Sequence, residues 1–542
     1  MHRWPVLLTS LCLVTTACQA AAPPTAVSPD GASGPKQGGQ LNTRISTDPY
    51  DWDLSYAGKT TPNEVGVAYS TNSLLGFKAG PDVGYSEMIL RPELAERWEA
   101  SADAKTFTFH LRKGVKYANV APVNGRALTS ADVKWSWEYW SRTGELRGAK
   151  IPKGQMEYMF EGMTAIETPD AATVVVKFSE PFVPFLAYVA SEWNPMMARD
   201  VYQQDGHLKD RLVGTGPFYL DTAASQKGTR WVWKRNPDYW EPGKPYLDEI
   251  RWLVLPDEAT MFAALTTKQI DVTPSLAFQA MKTVEQTSPQ AVLTRALQPR
   301  GYHLYLSQAH AGPLKDLRVR QALALAVDRE EINRGVAGGL AEWAVPGAMA
   351  GTFTDQEARA LQPQDPERAK RLLAEAGYAN GLTLDWPYTS DESRTNLTWY
   401  QIIQAQFKRV GVTVNLSPVE RAIQRARKYS GEYDLDSGVG LGGLDADVDS
   451  MLYGAYHSTS SGNWAKINDP DLDRLLQATR READPAKRRD AVKAAAKRIV
   501  DQAWAIELIY PPVWFAAQPY VRGYYPQFGS RSEQHPEIWL DK

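Results

Sequence analysis

The sequence predicts an α/β protein built on more than one core. Three observations lead there. At 542 residues the chain is too long for one core, and domains of roughly 100–200 residues each are expected. Short stretches of the first half alternate apolar and polar residues, as half-buried strands do. From residue 316 onward helical patterns alternate with strand patterns, which indicates an α/β lobe with a partly parallel sheet.

Bulk composition narrows the function. Hydrophobic content is 43% and charged content 23%, an ordinary globular mixture. The formal net charge is −3 with both signs spread along the chain, so no concentrated basic face exists for nucleic acid. The 18 tryptophans are expected mostly in cores, because each ring buries a large area. Only two cysteines occur, Cys12 and Cys18, so neither a disulfide framework nor a cysteine zinc site can be built. The seven histidines form no pair at metal-ligand spacing, and no cofactor or metal is expected.

Residues 1–17 read as an export signal. Arg3 gives a positive start, and the apolar run over residues 6–14 is shorter than the ~20 residues a spanning helix needs. Thr15-Thr16-Ala17-Cys18 resembles a bacterial lipoprotein cleavage box, with small Ala17 before Cys18. Thr15 departs from the usual Leu or Val there, and an ordinary signal peptide is the alternative. With the signal removed, Cys18 is the sole cysteine, which suits acylation and an exported protein held to a membrane by lipid. Residues 18–39 are rich in Ala, Pro, Ser and Gly and cannot bury enough surface to order themselves, as expected of a flexible tether.

The body begins at Gln40. Residues 41–46 are expected as a strand that Thr47-Asp48-Pro49 turns. The most informative stretch runs from Arg91 to Trp140. Within it Thr106–Leu111 alternates, with Phe107, Phe109 and Leu111 on one face. Thr129-Ser130-Ala131-Asp132 then starts a helix: Thr129 can cap the free N–H groups and Asp132 sits at the third helical position. Val133, Trp137 and Trp140 follow at helical spacing. Thr173–Phe178 is another alternating strand. Val213-Gly214-Thr215-Gly216-Pro217-Phe218 is a turn whose glycines either admit unusual backbone dihedrals or let a ligand come close. No Lys-Ser/Thr pair follows, so it is not a phosphate loop. Residues 231–234 and 250–255 are strands, 259–265 a helix, and 269–272 returns to the sheet.

The texture changes near Arg300. Tyr302, Leu304 and Leu306 form one face of a strand. Residues 317–329 read as one helix, 366–377 as a helix with proline first and glycine last, and 382–386 as a strand. A helix over 396–410 and a strand over 412–416 follow. Residues 433–436 form a short strand that runs into a loop. Residues 470–479 and Pro485–Gln502 are helices, 506–510 a strand, and 511–542 irregular and aromatic.

Several phrases recur together and in order: residues 94–117, Leu128-Thr129-Ser130-Ala131-Asp132-Val133, Ser179-Glu180-Pro181, the glycine turn at 213–218, and Asn236-Pro237-Asp238-Tyr239-Trp240. This combination closely resembles the family 5 extracellular solute-binding proteins, the dipeptide and oligopeptide receptors of bacterial ABC importers. The resemblance implies a type II periplasmic-binding-protein-like α/β fold, two lobes around a ligand cleft with an extra subdomain in the first lobe. It places the first lobe at 40–298 with the subdomain at about 74–181, the second lobe at 299–507, and a return segment at 508–542. It also implies a monomeric receptor, periplasmic or on the outer surface, whose partners are the solute, the permease and the membrane.

Ligands of open α/β sheets bind beyond strand ends where topology reverses, and between lobes. The loop over 438–449 leaves a strand and carries four glycines and three carboxylates, which makes it the best candidate for a ligand wall. Peptide-binding relatives carry an apolar or aromatic residue followed three positions later by an Asp that pairs with the peptide's amino terminus. Here Leu441 stands at the first place and Leu444 at the second, with Asp445 one residue late; Gly442 and Gly443 lie between. Asp445 serves if the loop bulges by one residue and is otherwise a solvated carboxylate. Tyr302, Tyr305, Tyr388 and Arg421 are further ligand candidates, each weighed against a core or surface role. Asp445, Asp447 and Asp449 have the alternate spacing of a calcium loop, but Ser450 and Tyr456 stand where glycine and a bidentate Glu are needed.

The expected function is therefore a tethered receptor that closes on a peptide-like solute by hinge motion and performs no chemistry. An oligosaccharide receptor of the same family is the runner-up, with Trp399 or Trp464 as sugar platforms. A secreted hydrolase is the rival from another class, although no GxSxG elbow, HExxH or catalytic-cysteine context is present.

Overall fold

The computed structural model describes residues 34–54, 61–84, 87–147, 157–298, 301–309, 312–349, 351–390, 392–439, 447–526 and 536–542. The body spans Pro35–Lys542. Its first sheet is four-stranded. Gln40–Ile45 pairs parallel with Glu249–Val254, which pairs antiparallel with Arg230–Arg235, which pairs with Phe218–Leu220. Alternation puts Trp233 and Trp252 into the core, their rings 4.2 Å apart, with Tyr69 and Trp52 packed edge-on against them.

The Arg91–Trp140 stretch builds a second sheet, in the order Ala95–Ala100, Thr106–Leu111, Thr173–Phe178, Met163–Asp170. Phe107, Phe109 and Leu111 are buried, as their spacing predicts. Phe109 meets Trp137 of the helix Ser130–Ser141 at 5.7 Å. That helix starts as expected: the Asp132 carboxylate accepts from the Thr129 N–H at 2.9 Å, and Arg126 forks onto the same carboxylate at 2.7 and 3.0 Å.

The recurrent phrases meet at Asn72. Its Oδ1 accepts from the Thr215 hydroxyl at 3.0 Å and from Trp240 Nε1 at 3.3 Å, while its Nδ2 donates to Glu93 at 2.5 Å. Neither turn glycine has a positive φ. They are needed for close approach of chain to chain: a Cβ on Gly214 would lie 2.2 Å from the Ser70 carbonyl oxygen, and one on Gly216 2.5 Å from that of Tyr69. Of the two roles open to these glycines, backbone packing explains them. Asp48 is likewise structural, accepting from the Gly228 N–H at 2.9 Å and from Trp231 Nε1 at 2.8 Å.

In the second half, Tyr302–Leu306 is the middle of a three-stranded sheet between Leu435–Val439 and Ala505–Glu507. Being central, it buries His303 and Tyr305 as well as Leu304 and Leu306, so it has two buried faces instead of one. Leu382–Thr389 runs beside Leu435–Val439 and pairs parallel with Val412–Val419 through the crossover helix Arg394–Arg409.

Four elements differ from the sequence reading. The helix expected over 317–329 ends at Ala326, and Asp328 caps a separate helix, Arg329–Ala337, by accepting from the Glu331 N–H. The strand read at 433–436 lies at Leu435–Val439, because a Gly431 turn holds the preceding residues. The strand read at 506–510 is split into Ala505–Glu507 and Ile509–Tyr510, which pair with different partners. The end of the chain is not irregular throughout: Pro512–Ala517 pairs antiparallel with Val292–Leu297, a long-range partner that local pattern cannot reveal. Beyond it, Lys244 reaches Glu537 at 2.6 Å and Lys36 reaches Asp541 at 2.7 Å, tying the tail to the start of the body.

Candidate functional site

Several chain segments converge at one edge of the second-half sheet. Leu382–Thr389 and Leu435–Val439 both end there, and register pairs Tyr302, the start of its strand, with Val439. Residues 440–446 follow Val439 in the sequence and lie outside the described residues. Tyr302 and Tyr388 are half-buried. Tyr388 meets Tyr400 at 6.0 Å, and Tyr302 stacks on Trp399 at 5.8 Å with 16° between the planes. Tyr400 and Trp399 come from the crossover helix, whose first turn is capped by Ser393 accepting from the Asn396 N–H.

A chain of polar contacts runs across these rings. The Tyr400 hydroxyl donates to Glu392 at 3.2 Å and lies 2.5 Å from the Ser437 hydroxyl. Asn396 also donates to Glu392, at 2.9 Å. Beyond Ser437, Lys428 donates to its carbonyl at 3.0 Å and pairs with Asp436 at 2.8 Å, and Gln424 donates to Asp436 at 2.8 Å. Burial pushes the Asp436 carboxyl up from its usual range, and Lys428 opposes that shift. Burial, with the Glu392 charge second, raises the Tyr302 phenol to about 12. Such an edge can accept and donate hydrogen bonds and offer ring faces; among the described residues it carries no nucleophile–base pair.

The other sequence candidates fall in different places. Tyr305 is 1% exposed and packs edge-on against Tyr456 and Trp464 behind the edge. Arg421 is exposed at the first position of the helix Arg421–Ser430 that also carries Gln424 and Lys428. Leu441, Gly442, Gly443, Leu444, Asp445 and Cys18 lie outside the described residues. Asp447 and Asp449, weighed as calcium ligands, are held by arginines. Asp447 caps the helix Val448–Tyr456 and pairs with Arg488 at 2.5 Å, and Asp449 pairs with Arg480 at 3.0 Å. Trp399 is 1% exposed and Trp464 9%, so neither indole presents an open face to a sugar. Sequence reasoning missed Glu392, Tyr400 and Lys428. Glu392 could have been found, since it follows a strand end at a topological switch; Tyr400 and Lys428 are ordinary helix residues until the fold brings them to the edge.

Comparison with known proteins decides the family. The model of the bacterial extracellular solute-binding proteins, family 5, matches residues 90–463. The chain belongs to this family. The receptor is 30% identical over 479 residues to the dipeptide-binding protein of Escherichia coli strain K12, covering 84% of this chain and 86% of that one. It is 28% identical over 477 residues to the heme-binding protein A of Haemophilus influenzae, covering 84% of each. Among solved structures, the A. tumefaciens R10 binding protein AgaA in complex with agropinic acid superposes with a TM-score of 0.78 at 26% identity, over 93% of this chain and 99% of that chain. The DppA binding protein of Helicobacter pylori gives 0.80 at 23% identity, over 94% and 99%.

The receptor therefore has the type II periplasmic-binding-protein fold, two lobes about a cleft. As a member of a solute-binding family it is a transport receptor and not an enzyme. No helix among the described residues is long and apolar enough to cross a membrane.

Proposed function

We propose that this protein captures a peptide-like solute between its two lobes and delivers it to the membrane permease of an ABC importer. The carrying observation is the likeness to the dipeptide-binding protein of E. coli, which extends along most of both chains. A Pseudoalteromonas relative of the same fold is described in complex with Met-Leu. The edge built by Tyr302, Tyr388, Tyr400 and Ser437 supports this reading, because a peptide offers amide groups for the hydroxyls and side chains for the rings. Asp445, a few residues after Val439 in the sequence, takes the ligand's amino terminus, with Leu441, Gly442, Gly443 and Arg421 as further ligand contacts. Tyr305 supports the edge from behind. The lobes divide at about residues 298 and 507, with a subdomain at about 74–181 and a return segment at 508–542. Closure gains from contacts to both lobes, and a ligand shifts it only by its differential affinity for the closed form.

The monomeric receptor is anchored by lipid at Cys18, through a tether over 18–39, after removal of residues 1–17. Metabolic labelling with a fatty acid tests this: Cys18→Ser loses the label and leaves the membrane fraction if the anchor is right, and keeps both if it is wrong.

Mass-spectrometric identification of the co-purifying ligand tests the main reading. A peptide supports it. A cello-oligosaccharide in the same position overturns it in favour of the sugar receptor, against which the burial of Trp399 and Trp464 already weighs.

A further inference from the structure

Glu392 sits at the candidate ligand edge, and among the described residues no ion pair balances its charge. Its carboxylate accepts from four groups: the Asn396 side chain at 2.9 Å, the Ser393 N–H at 3.0 Å, the Tyr400 hydroxyl at 3.2 Å and the Thr389 hydroxyl at 3.4 Å. All four are neutral. They fix where the carboxylate points and bring no positive charge to it. No Lys, Arg or His among the described residues forms an ion pair with it, whereas other carboxylates of the chain have one. Asp436 has Lys428, Glu331 has Arg409, Asp447 has Arg488 and Asp449 has Arg480. Lys428, the cation nearest along the polar chain, is already committed: it binds Asp436 and the Ser437 carbonyl and lies 4.2 Å over the Trp464 ring.

The walls beside Glu392 are aromatic. Tyr388, Tyr400, Trp386 and Trp399 form a contiguous cluster, with Tyr302 stacked at its end. Rings lower the local dielectric, which strengthens an ionic contact, and their faces attract cations directly. A half-buried carboxylate among rings costs free energy when left alone, and a ligand cation removes that cost. Burial raises the Tyr302 phenol, and the Glu392 charge adds to that shift.

From this juxtaposition we propose that Glu392 is a specificity-determining residue, the counter-ion for a positively charged group on the ligand. This deepens the peptide reading and rests on it: the ligand class becomes peptides that place an ammonium or guanidinium group against the Tyr302–Tyr388–Tyr400 edge. The positive group is a basic side chain of the peptide, because Asp445 takes the amino terminus in the function proposed above.

Calorimetry on the unliganded full-length protein tests it, with one panel: tri-alanine, acetylated tri-alanine, tripeptides with Lys at each position, their norleucine counterparts, and spermidine as a non-peptide cation. Wild type, Glu392→Gln, Glu392→Asp and Glu392→Lys are compared after circular dichroism shows equal folding. The expected result is that wild type prefers cationic members. Glu392→Gln weakens those at least tenfold and moves neutral members less than threefold. Glu392→Asp keeps the preference, and Glu392→Lys reverses it. Loss of one norleucine peptide supports the side-chain counter-ion; loss of the acetylated peptide alone shows that Glu392 meets the amino terminus and overturns it. If peptides bind and Glu392→Gln leaves the cationic members unchanged, the counter-ion proposal is overturned while the peptide reading stands. If only spermidine binds, and through Glu392, the peptide reading falls and the counter-ion survives. If no cationic member binds wild type, both fall.

Discussion

Arg480 grips Asp449 through its Nε, 3.0 and 3.1 Å from the two carboxylate oxygens, with both side chains buried. Neither is alone. The Tyr188 hydroxyl donates to Asp449 at 2.6 Å, and Arg480 also reaches Glu161 and the Tyr158 carbonyl, each at 2.7 Å. Burial alone would push the Arg480 guanidinium down, but Asp449 and the neighbouring phenols outweigh it and hold the charge in place. The network joins residues 158–188 to residues 449–480, more than 250 positions apart. Removing one partner strands the other charge, which costs about 3–5 kcal/mol. Asp449→Asn and Arg480→Met are each expected to lower unfolding free energy in urea by about that amount. A loss below about 1 kcal/mol in both would show that the pair is not under tension with its burial.

Gly216 should be as intolerant as any core position. A Cβ there meets backbone atoms of residues 69–71 at 2.5–2.6 Å, and backbone cannot rotate away as a side chain can. Gly216→Ala is expected to cost about 1–3 kcal/mol by overpacking, at the upper end of that range. Gly377→Ala is the comparison: its φ is +94° with open space around it, so only the left-handed backbone penalty of about 1 kcal/mol applies. Thermal melts of the two variants should separate clearly.

His303 makes the fold acid-sensitive. Burial, helped by the Lys428 charge, lowers its pKa from 6.5 to about 3. The unfolded chain therefore binds a proton that the folded chain refuses. His303 contributes its stability in full above pH 6.5 and loses it as pH falls toward 3, by up to about 1.4 kcal/mol per pH unit. Glu507, 3.5 Å away, is pushed up by burial and has the opposite sign: its contribution is present at low pH and lost as pH rises. Urea unfolding at pH 7 and pH 5 should show wild type losing about 2 kcal/mol relative to His303→Leu. Equal losses in both would mean that His303 is protonated inside the fold.

Tyr302 and Trp399 should couple in stability. Their stacked rings are worth about 0.5–1.5 kcal/mol beyond the area they bury. A double-mutant cycle with Tyr302→Leu and Trp399→Leu measures that term in denaturant. Ligand affinity should fall with Tyr302→Leu, whose ring stands at the edge, more than with Tyr305→Phe, whose ring is 1% exposed.

Much of the fold was legible because its signals are local. The alternation of Thr106–Leu111, the Thr129/Asp132 helix start and the proline-to-glutamine limits of Pro485–Gln502 need no knowledge of distant residues. Two elements were misread for want of a distant partner: Pro512–Ala517 becomes a strand only by pairing with Val292–Leu297, and Tyr302–Leu306 is buried on both faces only because it is central. The site was half legible. Tyr302 and Tyr388 stand at the edge, while Tyr305 faces core.

By itself, then, the sequence determined the family, the α/β class and the helix and strand starts, because caps, turns and periodicity act over a few residues. Only the tertiary structure decided that Asp447 and Asp449 belong to Arg488 and Arg480 while Glu392 has, among the described residues, neutral partners alone. A carboxylate's role depends on which charges folding brings within a few ångströms of it, and those charges come from segments that nothing in the local pattern connects.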